Sequence, residues 1–275
     1  MNTIDIDLQP QKNEVRNLVM TNSGYIRRQK WTHPAVSSAT AIMPAIITAA
    51  SIPSANFYTF TVTSANATAA ATYTNNGVTY TVLATISSGT TLYLSGSGAP
   101  SGTTLTKASG TGDATITFSA ATAGFGQPDF PRIVTIVSTG SDHDAAGVVT
   151  VSGTDIRGAA ISDAITLNGN TSVNGVKAFK TITNIDTSAC TAIDANAGVE
   201  VGTGAALGLD RLMDADEYLQ GSYDGTFEAT RATIAYSATV ISQNTVIFNT
   251  TLGNTHTFRA VYVTKELTNS NATTS

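Results

Sequence analysis

The stretch that decides the fold is Thr72-Tyr-Thr-Asn-Asn-Gly-Val-Thr-Tyr80. Asn76-Gly77 separates two short runs rich in Thr, Tyr and Val. A two-residue type I′ turn needs positive φ at both central residues, and Asn-Gly is the pair that best tolerates it, so the stretch predicts a β-hairpin. Working outward, Phe57, Thr59, Thr61 and Thr63 alternate with Tyr58, Phe60 and Val62, the period of two that a pleated strand requires. Residues 78–86 read as the return strand, 90–94 as another and 95–104 as a loop. Residues 113–118 close the unit, with Ala114, Ile116 and Phe118 on one face. Residues 54–121 thus read as a compact β module.

Further along, strands are predicted at 132–138, 147–154, 160–167, 177–186, 198–202, 226–235, 245–249 and 257–264. Turn residues at Gly153-Thr-Asp155, Asn168-Gly169 and Asn174-Gly175 punctuate them, and regular short strands of this kind point to a sandwich or barrel. Helix signals are scarce. Residues 205–219 carry Leu207, Leu209, Leu212 and Leu219, but Gly208 weakens a helix, and the segment reads as a loop with one short turn. Residues 36–53 are Ala-rich, and Pro44 and Pro53 exclude a long helix, leaving a short helical turn or an edge strand. The expected fold is all-β: a β-sandwich with a second, smaller inserted β domain and an extended N-terminal arm. The expected division is an arm at 1–35, a sandwich at 36–53 plus 122–265, an inserted domain at 54–121 and a flexible tail at 266–275.

Only 12% of the 275 residues are charged, and about one in six is Thr, a β-branched type suited to pleated surfaces. A net charge of −5 argues against broad nucleic-acid binding, which needs a basic face. Cys190 is the single cysteine, so no internal disulfide is expected and folding in a reducing cytoplasm fits. No apolar run approaches the length of a membrane span, and the first residues lack the apolar core of a signal peptide.

The first 33 residues hold Lys12, Arg16, Arg27, Arg28 and Lys30, five of the fourteen basic residues, together with Trp31, the one tryptophan. Arg16, Arg27, Arg28, Lys30 and Trp31 are therefore the candidate interaction residues. They describe an arm, with a strand at 25–29, that docks on an acidic neighbour with Trp31 as its anchor. The counter-reading is a solvated tail. An acidic run, Asp210, Asp214, Asp216 and Glu217 around Arg211, is either a solvated, ion-paired loop or the receptor for a neighbour's arm.

Catalytic signals are weak. His33, His143 and His256 are scattered, and no nucleophile elbow accompanies them. Asp142-His143-Asp144 has the residue types of a metal site, but Asp also favours turns, and a turn between two strands is the better reading. Gly96-Ser-Gly98 and Gly202-Thr-Gly204 lack the strand-to-helix setting of a phosphate cradle. Tyr58, Tyr73, Tyr80 and Tyr93 would either line a sugar-binding face or pack across strands. No cofactor, metal ligand set or catalytic residue is expected.

Four blocks, Gln127-Pro-Asp-Phe-Pro-Arg-Ile-Val-Thr-Ile136, Gly147-Val-Val-Thr-Val-Ser-Gly-Thr-Asp155, Ile161-Ser-Asp-Ala-Ile-Thr-Leu-Asn-Gly169 and Val176-Lys-Ala-Phe-Lys-Thr-Ile182, carry a resemblance. In order and spacing they resemble a β-sandwich module of tailed-phage virion structural proteins. In that family an Ala-rich segment like 38–53 directly precedes the first block, whereas here about seventy residues intervene. The intervening residues resemble another phage-associated module. The resemblance implies a non-enzymatic capsid decoration, or cement, protein on the virion surface. Its expected partners are the major capsid protein and copies of itself, a trimer preferred, with no nucleic acid and no membrane. The alternative is a tail-associated or fibre protein whose 54–121 module contacts host surface glycan.

Overall fold

The computed structural model describes residues 3–4, 18–19, 25–46, 51–193, 197–264 and 266. The chain is all β. Two short strands, β1 (Thr3–Ile4) and β2 (Leu18–Val19), pair antiparallel. They are followed by β3 (Tyr25–Thr32), β4 (Ser38–Ile46) and β5 (Ser51–Pro53). Six strands then form a closed barrel: β6 (Phe57–Ala67), β7 (Thr72–Asn75), β8 (Val78–Val82), β9 (Ile86–Gly96), β10 (Thr104–Ser109) and β11 (Thr115–Ala123). Next come β12 (Arg132–Gly140), β13 (Ala146–Thr154), β14 (Ala160–Thr166), β15 (Val173–Phe179), β16 (Thr181–Asp186), β17 (Cys190–Thr191) and β18 (Ala197–Gly208). The last five are β19 (Tyr218–Tyr223), β20 (Thr226–Phe227), β21 (Thr233–Ala235), β22 (Thr245–Ile247) and β23 (Thr257–Thr264).

Three larger sheets accompany the barrel and the β1-β2 pair. The first runs β15-β12-β18-β22-β21, with β4 also on β18, and the second runs β14-β13-β16-β5, with β17 on β13. Their inward residues, among them Val134, Ile136, Val149, Val151, Ile185, Val199 and Val201, make one apolar core. The third sheet, β20-β19-β23-β3, covers a second core of Trp31, Phe258, Tyr262, Val246, Leu207 and Leu209. β18 joins the two cores, with Val199 and Val201 in the first and Leu207 in the second. This is why residues 205–208 continue a strand instead of forming the expected loop: their apolar side chains are buried from two sheets.

The barrel follows directly from the hairpin. Asn76 (φ 48°) and Gly77 (φ 82°) make the turn, and Tyr73 sits opposite Tyr80 across it. Phe60, Tyr73, Tyr80, Leu92, Leu94 and Leu105 fill the interior. The Asn75 amide donates to the carbonyls of Ser101 and Thr104, both at 2.7 Å, and fastens the 97–103 loop across the barrel end. At the same end, where β6 begins and β11 finishes, the entering and leaving chains meet: Gly124 N donates to Phe57 O at 2.8 Å, and Phe125 N to Ser54 Oγ at 3.0 Å. Phe57 lies between Tyr93 (6.0 Å, stacked) and Phe125 (5.1 Å), and with Leu83 it plugs the barrel onto the sandwich core.

Several boundaries differ from the sequence expectation. β10 appears where no strand was expected, because its polar residues are held by the β7 and β11 ladders rather than by an apolar face. The 36–53 segment takes its edge-strand option. The 177–186 stretch breaks at Lys180, whose N–H donates to Thr154 O. The 226–235 stretch breaks into β20 and β21. Asn174-Gly175 lies inside β15 and is no turn. There the register to β12 shifts, and a buried Asp163 carboxylate accepts the amides of Val176 (2.7 Å) and Lys177 (3.0 Å). Gly175 is needed for this approach, since a Cβ would stand 2.5 Å from Asp163 Oδ2. Among the described residues, no helix is long and apolar enough to cross a membrane.

Candidate interaction surface on the third sheet

The arm residues singled out in the sequence fall mostly on β3, and strand alternation sorts them. Tyr25, Arg27, Gln29 and Trp31 pair with Thr264, Tyr262, Ala260 and Phe258 on the core-facing side of the sheet. Ile26, Arg28, Lys30 and Thr32 pair with Val263, Val261, Arg259 and Thr257 on the outer side.

Within the inward set Tyr25 is exposed at the strand's start, and Arg27, Gln29 and Trp31 are engaged within the chain. Trp31 is 1% exposed and packs edge-on against Phe248 at 5.6 Å. It is an anchor for its own core, which corrects the expectation that it docks on a neighbour. A buried indole holding β3 to β23 has no free face to offer. Arg27 forms a two-pronged ion pair with Asp210. The Tyr262 hydroxyl donates to Asp210 Oδ1 at 2.6 Å, and Asp210 N donates to Gln29 Oε1 at 2.8 Å. Burial pushes the Asp210 carboxyl up, but hydrogen bonds from Arg27 and Tyr262 outweigh it and hold the group below the ordinary value. Burial, then Asp210, push the Tyr262 phenol well up. The acidic run thus receives a basic strand of its own chain through Asp210.

Of the outward set, Arg28, Lys30 and Thr32 are exposed and Ile26 is half-buried. Lys30 faces Arg259 directly across the β3–β23 ladder, and Arg28 is two residues away. None of these three cations has an ion-pair partner among the described residues. Arg259 was missed in the sequence. Its strand, Thr-Phe-Arg-Ala-Val-Tyr-Val-Thr, shows that it points away from Phe258 and Ala260, but only the β3 pairing places it beside Lys30. Arg16 lies outside the described residues.

The other candidates disperse. His143 stands in the turn after β12, with its Nδ1 3.0 Å from Ser138 O. His256 bonds Asp224 at 2.6 Å, and His33 meets it only through backbone, N–H to His256 O. Asp216 pairs with Arg231. Among the described residues, no three His, Cys, Asp or Glu side chains gather to hold a metal ion. Cys190 is buried, and burial pushes its thiol up. Tyr58, Tyr73 and Tyr80 are buried in the barrel, and Tyr93 is half-buried against the sandwich, so these four make no exposed sugar platform. Two shallow hollows, about 260 and 220 Å³, flank Ser37 and are lined chiefly by hydroxyl, amide and backbone groups such as Thr250, Thr135, Ser172 and Asn174.

The first block of the resemblance is itself a clamp. Arg132 is fully buried; its Nε donates to Gly204 O at 2.7 Å, and its Nη1 to Ala35 O and Asp129 Oδ1, both at 3.0 Å. Asp129 Oδ2 in turn accepts Ala35 N–H at 2.6 Å. Pro128-Asp-Phe-Pro-Arg132 therefore binds the β3–β4 connection to β18. Comparison with protein-family models, with curated proteins and with solved structures returned no match.

Proposed function

We propose that the chain is a capsid decoration protein, a non-enzymatic component that binds and stabilises the head lattice of a tailed-phage virion. The observation that carries the proposal is the Asp129–Arg132 clamp. The residues behind the phage resemblance direct their charge at backbone carbonyls and amides, tying strands together, and not at a cleft. Two further features support it. The barrel is fastened at one end through Ser54, Phe57 and Phe125, so it is presented on the sandwich as a firm projection. The third sheet carries on its outer face a row of cations, Arg28, Lys30 and Arg259, with no ion-pair partner among the described residues. Many modest contacts of this kind, repeated over a lattice, give tight attachment by multivalency.

In this proposal the sandwich and third sheet contact the major capsid protein and neighbouring copies, and the barrel faces outward. The test is binding of purified protein to particles stripped of it. Saturable co-sedimentation with heads is the expected result. Binding to isolated tails alone would favour the tail or fibre alternative, and release of sugar from host envelope would favour a hydrolase.

A further inference from the structure

We infer that copies of this chain associate head to tail, the outer face of the third sheet in one copy receiving the Asp142-His143-Asp144 turn of the next. The receiving face is Arg28, Lys30 and Arg259. Lys30 and Arg259 stand directly opposite each other on paired strands, an arrangement that destabilises a sheet unless an anion relieves it. Nothing among the described residues does so, although Arg27, Arg132, Arg157 and Arg231 each have a carboxylate. Asp224, near the end of the same face, is already held by His256 and by Thr257 N–H.

The complementary feature is the turn between β12 and β13. Asp142 and Asp144 are both exposed, and neither has a cationic partner among the described residues. The turn is firmly shaped: His143 takes φ 52° and its ring contacts Ser138 O, while Ser141 Oγ donates to Asp142. Two carboxylates two residues apart match Arg28 and Lys30, which are about 7 Å apart along an extended strand.

Position decides that the contact is between copies. The turn follows Gly140, which pairs with Ala197 at the start of β18. The basic sheet sits over the far end of β18, where Gln29 Nε2 donates to Gly208 O. Twelve residues of strand separate the two ends, roughly 36 Å at about 3.3 Å per residue. Within one chain the patches cannot meet. Between two chains they can; a contact joining unlike surfaces closes as a two-fold pair when used reciprocally and runs on as a ring or filament when used head to tail, the arrangement inferred here. A protein partner suits this face better than a polyanion. Half-buried Ile26, Val261 and Val263 lie among the cations, and the chain's net charge of −5 repels nucleic acid. The inference goes beyond the virion proposal and does not depend on it.

The test is sedimentation velocity of the full chain from about 1 µM to about 1 mM, the range of weak specific contacts. Wild type is expected to form species larger than a dimer, and to lose them in about 0.5 M salt, where charge is screened. Arg28→Glu/Lys30→Glu/Arg259→Glu alone, and Asp142→Lys/Asp144→Lys alone, are each expected to lower the association constant at least about tenfold. Mixing the two variants restores association, because each then offers a surface opposite in charge to the other's. Loss of association through misfolding is distinguished by that recovery and by unchanged thermal unfolding. A monomeric wild type, variants that associate as before, or a mixture that stays monomeric would each overturn the inference. So would wild type that binds a short DNA duplex through the three cations and does not self-associate. A monomeric wild type would leave the co-sedimentation test with heads unaffected.

Discussion

Arg132 shows what a single residue contributes here. Its guanidinium has no exposed surface, burial pushes its pKa down, and Asp129 pushes it back up. Arg132→Met leaves two backbone carbonyls and a carboxylate without their donor. Removing one member of a buried charged network costs about 3 kcal/mol, so urea unfolding should show a loss of that order. The block was legible in the sequence, but its role was not. The atoms it binds belong to Ala35 and Gly204, 97 and 72 residues away. Asp210 predicts a pH dependence. Its folded pKa is depressed, so it stabilises the fold above its unfolded value, about 3.9, and that contribution is lost as pH falls through the lower folded value. Denaturant melts of wild type and Asp210→Asn should diverge above about pH 4 and converge in stronger acid.

At the scale of elements, the hairpin was readable because its information is local. Gly77 has open space around it but φ +82°, so Gly77→Ala should cost about 1 kcal/mol through backbone strain alone. The β15 bulge was misread because its information is not local: Asn174-Gly175 looks like a turn until Asp163 is brought alongside. There Gly175→Ala should cost more, about 2 kcal/mol, by displacing a buried carboxylate from two amides. Chemical denaturation of both variants checks the order. β3 was half legible. Alternation separates Arg27 and Trp31 from Arg28 and Lys30, but only pairing with β23 shows that one set is buried and the other gains Arg259.

At the scale of the molecule, the barrel interior fills with its own side chains, the sandwich core takes in Phe57 and Leu83 from the barrel segment, and β18 runs through two of the cores. The ends of the barrel segment are hydrogen-bonded together. Replacing 58–123 by a short Gly-Ser link should therefore leave a folded sandwich, weakened by exposure of Phe125; a cooperative melt and retained β circular dichroism are the expected readouts. The all-β class was legible from composition and turn spacing, since both act strand by strand. The cationic face proposed for assembly was not, because it is built from β3 and β23 at opposite ends of the sequence. The central proposal is that the chain decorates the capsid head in many copies. Counting copies of the chain in purified particles tests it most directly. Hundreds per particle, on the head, is the predicted result; a dozen or fewer, or none, would contradict it.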